Sequence, residues 1–189
     1  NDFRGYAGRI ASGVFKPGDE IAVLPSGFTS KIKTIEILGE EYDEAYAPMS
    51  VTITLEDEID ISRGDMIVRE HNQPTVSQDI DLMLCWMNDK ALTLGGKYTI
   101  RHTSNEARCM IKEVNYRMDI NTLHRIEDDK AIGMNDIGRV KIRTTKPLYF
   151  DRYERNRETG SVILIDEQTN ETDRKSTRLN SHVAISYAV

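Results

Sequence analysis

Apolar and polar residues alternate along most of this chain with a period of two. Residues 51–55 have an apolar side chain at every second position, and Ile80, Leu82, Leu84 and Trp86 repeat the pattern. Successive side chains of a strand point to opposite faces of a sheet, so this pattern predicts half-buried β-strands. The remaining predicted strands are residues 4–10, 20–24, 97–103, 105–117, 136–143 and 161–165.

Turn signals separate these strands at short intervals. They include Ser12-Gly13, Lys16-Pro17-Gly18-Asp19, Pro25-Ser26-Gly27 and Gly95-Gly96. Helical signals are weak and confined to residues 122–131 and 151–157, each of which could hold one short turn. Many short strands with frequent turns are typical of β-barrels and sandwiches. We therefore predict an all-β fold.

A polar segment that ends in proline, His71-Asn72-Gln73-Pro74, divides the strands into two clusters. We predict two consecutive β-barrels, residues 1–72 and residues 73–172. Beyond them the composition changes, because Asp173 is the last acidic residue of the chain. We expect residues 173–189 to be a non-native or divergent tail.

Composition narrows the function. The chain has 189 residues, of which 39% are hydrophobic and 30% charged, as in a folded globular protein. A formal charge of −6 argues against nucleic acid as a partner. No apolar run approaches the roughly 18 residues of a membrane span, so no membrane contact is expected. Cys85 and Cys109 lie in apolar strands without metal-ligand spacing, which indicates buried, reduced thiols and a cytoplasmic setting.

Motifs for catalysis are missing from these residues. The glycines form no G-x-x-x-x-G-K-[ST] phosphate loop, and there is no Asn-Lys-x-Asp sequence for guanine. The paired carboxylates Asp57-Glu58 and Asp128-Asp129 are neighbours on a strand or in a loop, where they do not converge on one point. The histidines are scattered: His71, His102, His124 and His182. We expect no catalytic, cofactor-binding or metal-binding residue in this chain.

Six segments, in order, resemble the large GTPase subunit of bacterial sulfate adenylyltransferase, a branch of the translation-factor GTPase superfamily. They are residues 2–8, 23–27, 57–65, 85–87, 116–123 and 151–156. The resemblance covers residues 1 to about 172 and implies barrels like the second and third domains of elongation factor Tu. A GTP-binding domain precedes these barrels in the family. We therefore expect the chain to be a piece of a longer protein.

The resemblance also implies a role. The intact subunit binds GTP with Mg²⁺ and associates with a small catalytic subunit, which makes adenosine 5′-phosphosulfate from ATP and sulfate. None of the family's nucleotide-binding residues lie in this chain. The barrels are then a coupling and docking scaffold, not catalytic alone, with the GTPase domain and the small subunit as partners.

Two exposed loops are the candidate contacts of this scaffold. The residues are Arg63, Asp65, Asp151, Arg152 and Tyr153. Each also fits a purely architectural role, because Arg63-Gly64-Asp65 suits a tight connection and the ring of Tyr153 could pack back on the barrel.

Two other functions stay open at this point. One is the RNA-binding barrel pair of an elongation-factor relative, which the acidic balance and the cluster at residues 57–60 disfavour. The other is a free-standing β-barrel that binds protein, which requires the gene to begin near Asn1.

A truncation tests the assignment of the tail. Removal of residues 173–189 should leave the melting temperature almost unchanged, because a tail foreign to the fold contributes no native contacts. Calorimetry of the full and truncated chains measures this, and a large loss of stability would show that the tail is part of the fold.

Overall fold

The computed structural model describes residues 3–166 and the two-residue strand Thr177–Arg178. Within this part of the chain there are strands and turns but no helix, so the all-β prediction is confirmed. The chain forms two compact units, which divide between Pro74 and Thr75, at the end of the predicted boundary segment. Apart from Thr177–Arg178, the tail predicted at residues 173–189 lies outside the described residues.

The described residues of the first unit form eight strands. They are β1 (Tyr6–Arg9), β2 (Val14–Phe15), β3 (Glu20–Leu24), β4 (Thr29–Ile37), β5 (Glu40–Glu41), β6 (Ala45–Tyr46), β7 (Ser50–Leu55) and β8 (Met66–Arg69). The main sheet has the order β1-β7-β4-β3-β8, with β5 paired to β4, and β2 pairs with β6 separately. All of these pairings are antiparallel.

Inward-facing aliphatic side chains form the core of the first unit. Ile21, Val23, Ile32, Ile35 and Ile53 are buried almost completely. Each such burial contributes roughly 1.5–3 kcal/mol. β4 is not among the strands predicted above, and the reason is a bulge at which its register with β7 shifts between Ile32 and Thr34. The two isoleucines that face inward are therefore three residues apart, which breaks the period of two.

The second unit is a ring of strands. It contains β9 (Thr75–Cys85), β10 (Lys97–His102), β11 (Asn105–Met118), β12 (Arg125–Ile126), β13 (Ile137–Phe150), β14 (Ser161–Asp166) and β15 (Thr177–Arg178). The pairing order is β10-β14-β15-β9-β13-β11, and β10 also pairs with β11, which closes the ring. β15 belongs to the predicted tail and pairs with both β14 and β9, so the truncation proposed above also removes these pairings and tests whether they stabilise the ring.

Strict alternation along β9 supplies much of the second core. Ile80, Leu82 and Leu84 are buried, and so is Trp86 just beyond the strand. The indole of Trp86 meets the ring of Tyr98 edge-on with 5.6 Å between ring centroids. Its Nε1 donates to the carbonyl of Lys90 at 2.6 Å. These positions confirm the alternation that the sequence predicts for residues 80–86.

The outward face of the same strands has cross-strand ion pairs. Arg139 on β13 donates to both carboxylate oxygens of Asp81 on β9 at 2.8 Å. Lys141 donates to Glu113 at 2.9 Å, and this hydrogen bond lowers the pKa of that carboxyl. The sheet is therefore apolar inside and charged outside.

Both cysteines are free, as the sequence analysis predicts. Cys109 is buried, whereas Cys85 is only half-buried, so the prediction of burial is correct for one of the two. No segment in the described ranges forms a helix long and apolar enough to cross a membrane.

His102 is a buried ionisable residue at the end of β10. Its side chain is 1% exposed, and Nε2 lies 3.3 Å from the carbonyl oxygen of Thr159. Burial opposes the charged imidazolium and lowers the pKa of His102 from 6.5 to about 4. His102 is therefore neutral at pH 7 in the folded protein.

We expect this histidine to make the second unit sensitive to acid. Between pH 6.5 and about 4 the unfolded chain binds a proton at His102 that the folded chain does not. The free energy of unfolding then falls by ~1.4 kcal/mol per pH unit as the pH decreases, about 3 kcal/mol in total. Trp86 is the single tryptophan and lies in this unit, so denaturant unfolding followed by its fluorescence measures the effect.

The variant His102→Leu should lack this contribution to the pH slope, whatever its stability at pH 7. The control is the wild-type protein in the same buffers, because the remaining ionisable groups are the same in both proteins. Equal slopes for the two proteins between pH 6.5 and 4 would contradict the assignment.

Candidate interface loops

The first candidate loop is a tight turn between β7 and β8. The backbone N–H of Ser62 donates to the carboxylate of Asp65 at 2.8 Å, and the N–H of Asp65 donates to the carbonyl of Ser62 at 3.0 Å. Gly64 has a φ of 101°, a conformation that side chains disfavour. The carboxylate of Asp65 thus stabilises the turn, and Arg63 is the exposed residue that the turn displays.

The second candidate loop, residues 151–160, connects β13 to β14. Two backbone N–H groups, of Arg155 and Asn156, donate to the carbonyl of Arg152 at 2.9 Å. The side-chain oxygen of Asn156 accepts hydrogen bonds from the N–H groups of Glu158 at 3.1 Å and Thr159 at 3.4 Å. The loop therefore has a dense local hydrogen-bond network and a defined backbone path.

Close packing reinforces this loop. A Cβ atom on Gly160 would lie 2.4 Å from the Cα of Tyr153, so only glycine fits there. The N–H of Gly160 donates to the carbonyl of Asn156 at 2.8 Å. Thr159 is fully buried, and its carbonyl oxygen is the one beside His102. The loop is thereby joined to the end of β10.

The charges of the loop divide between its interior and its surface. Asp151 is 4% exposed, and one of its carboxylate oxygens lies 3.9 Å from the guanidinium of Arg155. Arg152 is exposed, and the guanidinium of Arg157 lies 5.9 Å from the ring centroid of the half-buried Tyr153. Arginine and tyrosine are enriched in protein interfaces. The surface of the loop therefore suits contact with another protein.

These positions differ among the five candidate residues. Arg63 and Arg152 are exposed, and Tyr153 is half-buried. Asp65 and Asp151 instead face into their own loops. Sequence reasoning missed the contributions of Asn156 and Gly160. The signal was present, since asparagine often caps a turn and glycine permits close approach.

The fold gives hydrogen-bond partners to the paired carboxylates considered in the sequence analysis. Asp57 accepts a hydrogen bond from the hydroxyl of Ser30 at 2.8 Å, and Asp129 accepts one from Arg117 at 3.0 Å. These carboxylates have structural partners.

The fold brings Glu20 to the adjacent residues Glu70 and His71, and the ligand atoms of all three lie within 4.8 Å of one another. Glu20 also lies 3.4 Å from the ammonium of Lys31. One member of this cluster, Glu20, therefore already has an ion-pair partner.

Comparison with known proteins shows which proteins the chain is similar to. Residues 79–172 match the family described as GTP-eEF1A C-terminal domain-like. The bifunctional enzyme CysN/CysC of Mycobacterium tuberculosis is 49% identical over 172 residues, which are 90% of this chain and 28% of that protein. Sulfate adenylyltransferase subunit 1 of Bacteroides thetaiotaomicron is 41% identical over 179 residues, 90% of this chain and 37% of that protein.

The chain is a homologue of sulfate adenylyltransferase subunit 1. It spans between about a quarter and somewhat more than a third of the length of these curated relatives. The resemblance inferred from six short segments is confirmed, and it includes the segments that form both candidate loops.

Solved structures establish the fold independently. Sup35 complexed with GDP matches 95% of this chain and 46% of its own, with a TM-score of 0.82 at 14% identity. Translation elongation factor SelB from Methanococcus maripaludis matches 96% of this chain and 43% of its own, with a TM-score of 0.70 at 15% identity. The prediction of two translation-factor-type β-barrels is confirmed.

The tight contact at Gly160 gives a test of the second loop. Gly160→Ala should reduce the stability of the second unit by about 2 kcal/mol or more, because the added methyl group meets backbone atoms that cannot yield. Thermal unfolding followed by Trp86 fluorescence should show a fall of several degrees.

The matched control is Gly133→Ala. Its Cβ would have its nearest neighbour at 3.6 Å, an ordinary contact, so the change should stay within about 0.5 kcal/mol. Equal melting temperatures for the two variants would show that the loop does not pack as described.

Proposed function

We propose that this chain is the two-barrel part of a sulfate adenylyltransferase large subunit. In this role it couples a GTP-binding domain to a smaller subunit that forms adenosine 5′-phosphosulfate from ATP and sulfate. The similarity to sulfate adenylyltransferase subunit 1 over 90% of the chain carries the proposal. GTP and Mg²⁺ belong to the GTP-binding domain, and the barrels are a docking scaffold without catalytic residues.

The physical state of the candidate loops supports a docking role. Binding costs less entropy when the contacting loop is already ordered. The loop of residues 151–160 meets this condition through its internal hydrogen bonds and the close contact at Gly160. It displays Arg152, and the turn at residues 62–65 displays Arg63. A guanidinium forms two hydrogen bonds to a carboxylate, so acidic residues on the partner are the expected counterparts.

We also propose that the protein is cytoplasmic. The two free cysteines support it, because thiols persist in a reducing compartment. The net charge of −6 disfavours a role in binding transfer RNA, which requires many contacts to phosphates.

A chimaeric subunit tests the scaffold role. The chain replaces the matching segment of sulfate adenylyltransferase subunit 1 from Bacteroides thetaiotaomicron, and the chimaera is produced with its small subunit. We expect a stable complex whose formation of adenosine 5′-phosphosulfate is stimulated by GTP. Failure to form a complex, or activity without stimulation by GTP, would contradict the proposal.

Charge reversal then tests the two loops. Arg63→Glu and Arg152→Glu should each weaken complex formation or GTP stimulation about tenfold, because like charges replace a favourable pair. Lys112→Glu is the control, since Lys112 is also an exposed cation and lies on β11 outside both loops. If all three variants behave alike, the scaffold role stands but the loops are not its contacts.

A further inference from the structure

A groove of about 510 Å³ lies on the second unit, and its lining residues are outside the loop of residues 151–160. The residues that matter here are Lys97, Arg108, Met110, Arg143, Thr144 and Thr145. Every charged residue among those that line it is basic. The volume is in the range of small-molecule sites, which is about 300–1,000 Å³.

Strand register explains how the cations gather. Met110 on β11 is directly opposite Lys97 on β10 and Arg143 on β13. Side chains directly opposite each other have Cβ atoms about 4.5–5.5 Å apart. Arg108 is two residues before Met110 and so points to the same face. Three cations from three strands therefore surround one half-buried, apolar side chain.

A β-bulge forms one side of the groove. The register of β13 with β9 shifts between Arg143 and Leu148. The hydroxyl of Thr144, which is 3% exposed, lies 3.2 Å from the carbonyl of Gln78 and 2.7 Å from that of Lys146, and donates toward these oxygens. The side-chain amide of Gln78 donates to the carbonyl of Thr144 at 3.4 Å. Bulges are over-represented beside binding sites, where they redirect side chains.

Asp79 is an acidic neighbour of the groove that competes weakly. Asp79 lies 3.1 Å from the guanidinium of Arg143, and both side chains are more than half exposed. Such an exposed ion pair is worth about 0–1 kcal/mol. A doubly charged anion in the groove can therefore displace Asp79 from Arg143 at little cost.

We propose that this groove binds a phosphate ester with an aromatic or apolar body, of the size of a nucleotide. Arginine and lysine bind phosphate oxygens with charge-assisted hydrogen bonds. The thioether of Met110 suits an aromatic ring, because sulfur–aromatic contacts are favourable. This site is separate from the docking role and does not depend on it.

Calorimetric titration of the whole chain tests the site. The probes are adenosine 5′-diphosphate, inorganic pyrophosphate and adenosine, in dilute buffer free of phosphate and sulfate. We expect the nucleotide to bind at least tenfold more tightly than pyrophosphate, and adenosine to show no measurable binding. Since the groove is cationic, raising the salt concentration should weaken nucleotide binding.

Variants locate the binding. Lys97→Ala and Arg108→Ala should each weaken nucleotide binding at least tenfold, and Met110→Ser should weaken the nucleotide but not pyrophosphate. Lys141→Ala is the control, because Lys141 lies on the same face of β13 but is paired with Glu113 outside the groove. The altered side chains in the groove are exposed or half-exposed, so folding should be retained.

Three results would overturn the proposal. They are no nucleotide binding at millimolar concentration, binding that none of the groove variants changes, and pyrophosphate binding as tight as that of the nucleotide. A ten-nucleotide RNA that binds more than tenfold tighter than the nucleotide, and is lost in the same variants, would replace the small ligand with an RNA strand.

Discussion

Antiparallel hydrogen bonding around a closed ring of strands is the constraint on which the second unit depends. Each strand of the ring has a partner on both sides, so its side chains point either into the barrel or away from it. The inward set must be apolar and must fill the interior, as Leu82, Ile100 and Val140 do. The outward-facing side chains do not have to fill the interior, so they can be charged. The apolar core, the ion-pair face and the basic groove all follow from this one division.

The barrel strands hold the ends of the connecting loops and thereby limit their conformational freedom. The loop of residues 151–160 begins and ends on ring strands, and the carbonyl of Thr159 lies against His102 at the end of a third. A neutral imidazole with its proton on Nε2 donates to this carbonyl oxygen without the cost of a buried charge. Burial, and not this hydrogen bond, makes the unit sensitive to acid, because burial lowers the pKa of His102 whereas the hydrogen bond to Thr159 raises it.

Much of this fold was predictable from the sequence, because period-two alternation directly reports which face is buried. The alternation did not predict β4, because a bulge there places Ile32 and Ile35 on one face despite their odd spacing. The alternation also does not report the orientation of Asp65 and Asp151, because exposure of a carboxylate depends on whether a nearby donor turns it inward. The groove could not be predicted from the sequence, because only the strand register brings Lys97, Arg108 and Arg143 together.

The acidic character of the chain and its basic groove are compatible, because charges act locally in salt solution. The screening length is about 8 Å at physiological ionic strength, so a charge acts strongly only on groups near it. Near the groove, Asp79, Glu106 and Glu113 each lie against a cation. A nucleic acid needs many phosphate contacts, so net charge opposes it. A single phosphate ester needs only two or three cations, and strand register alone supplies them.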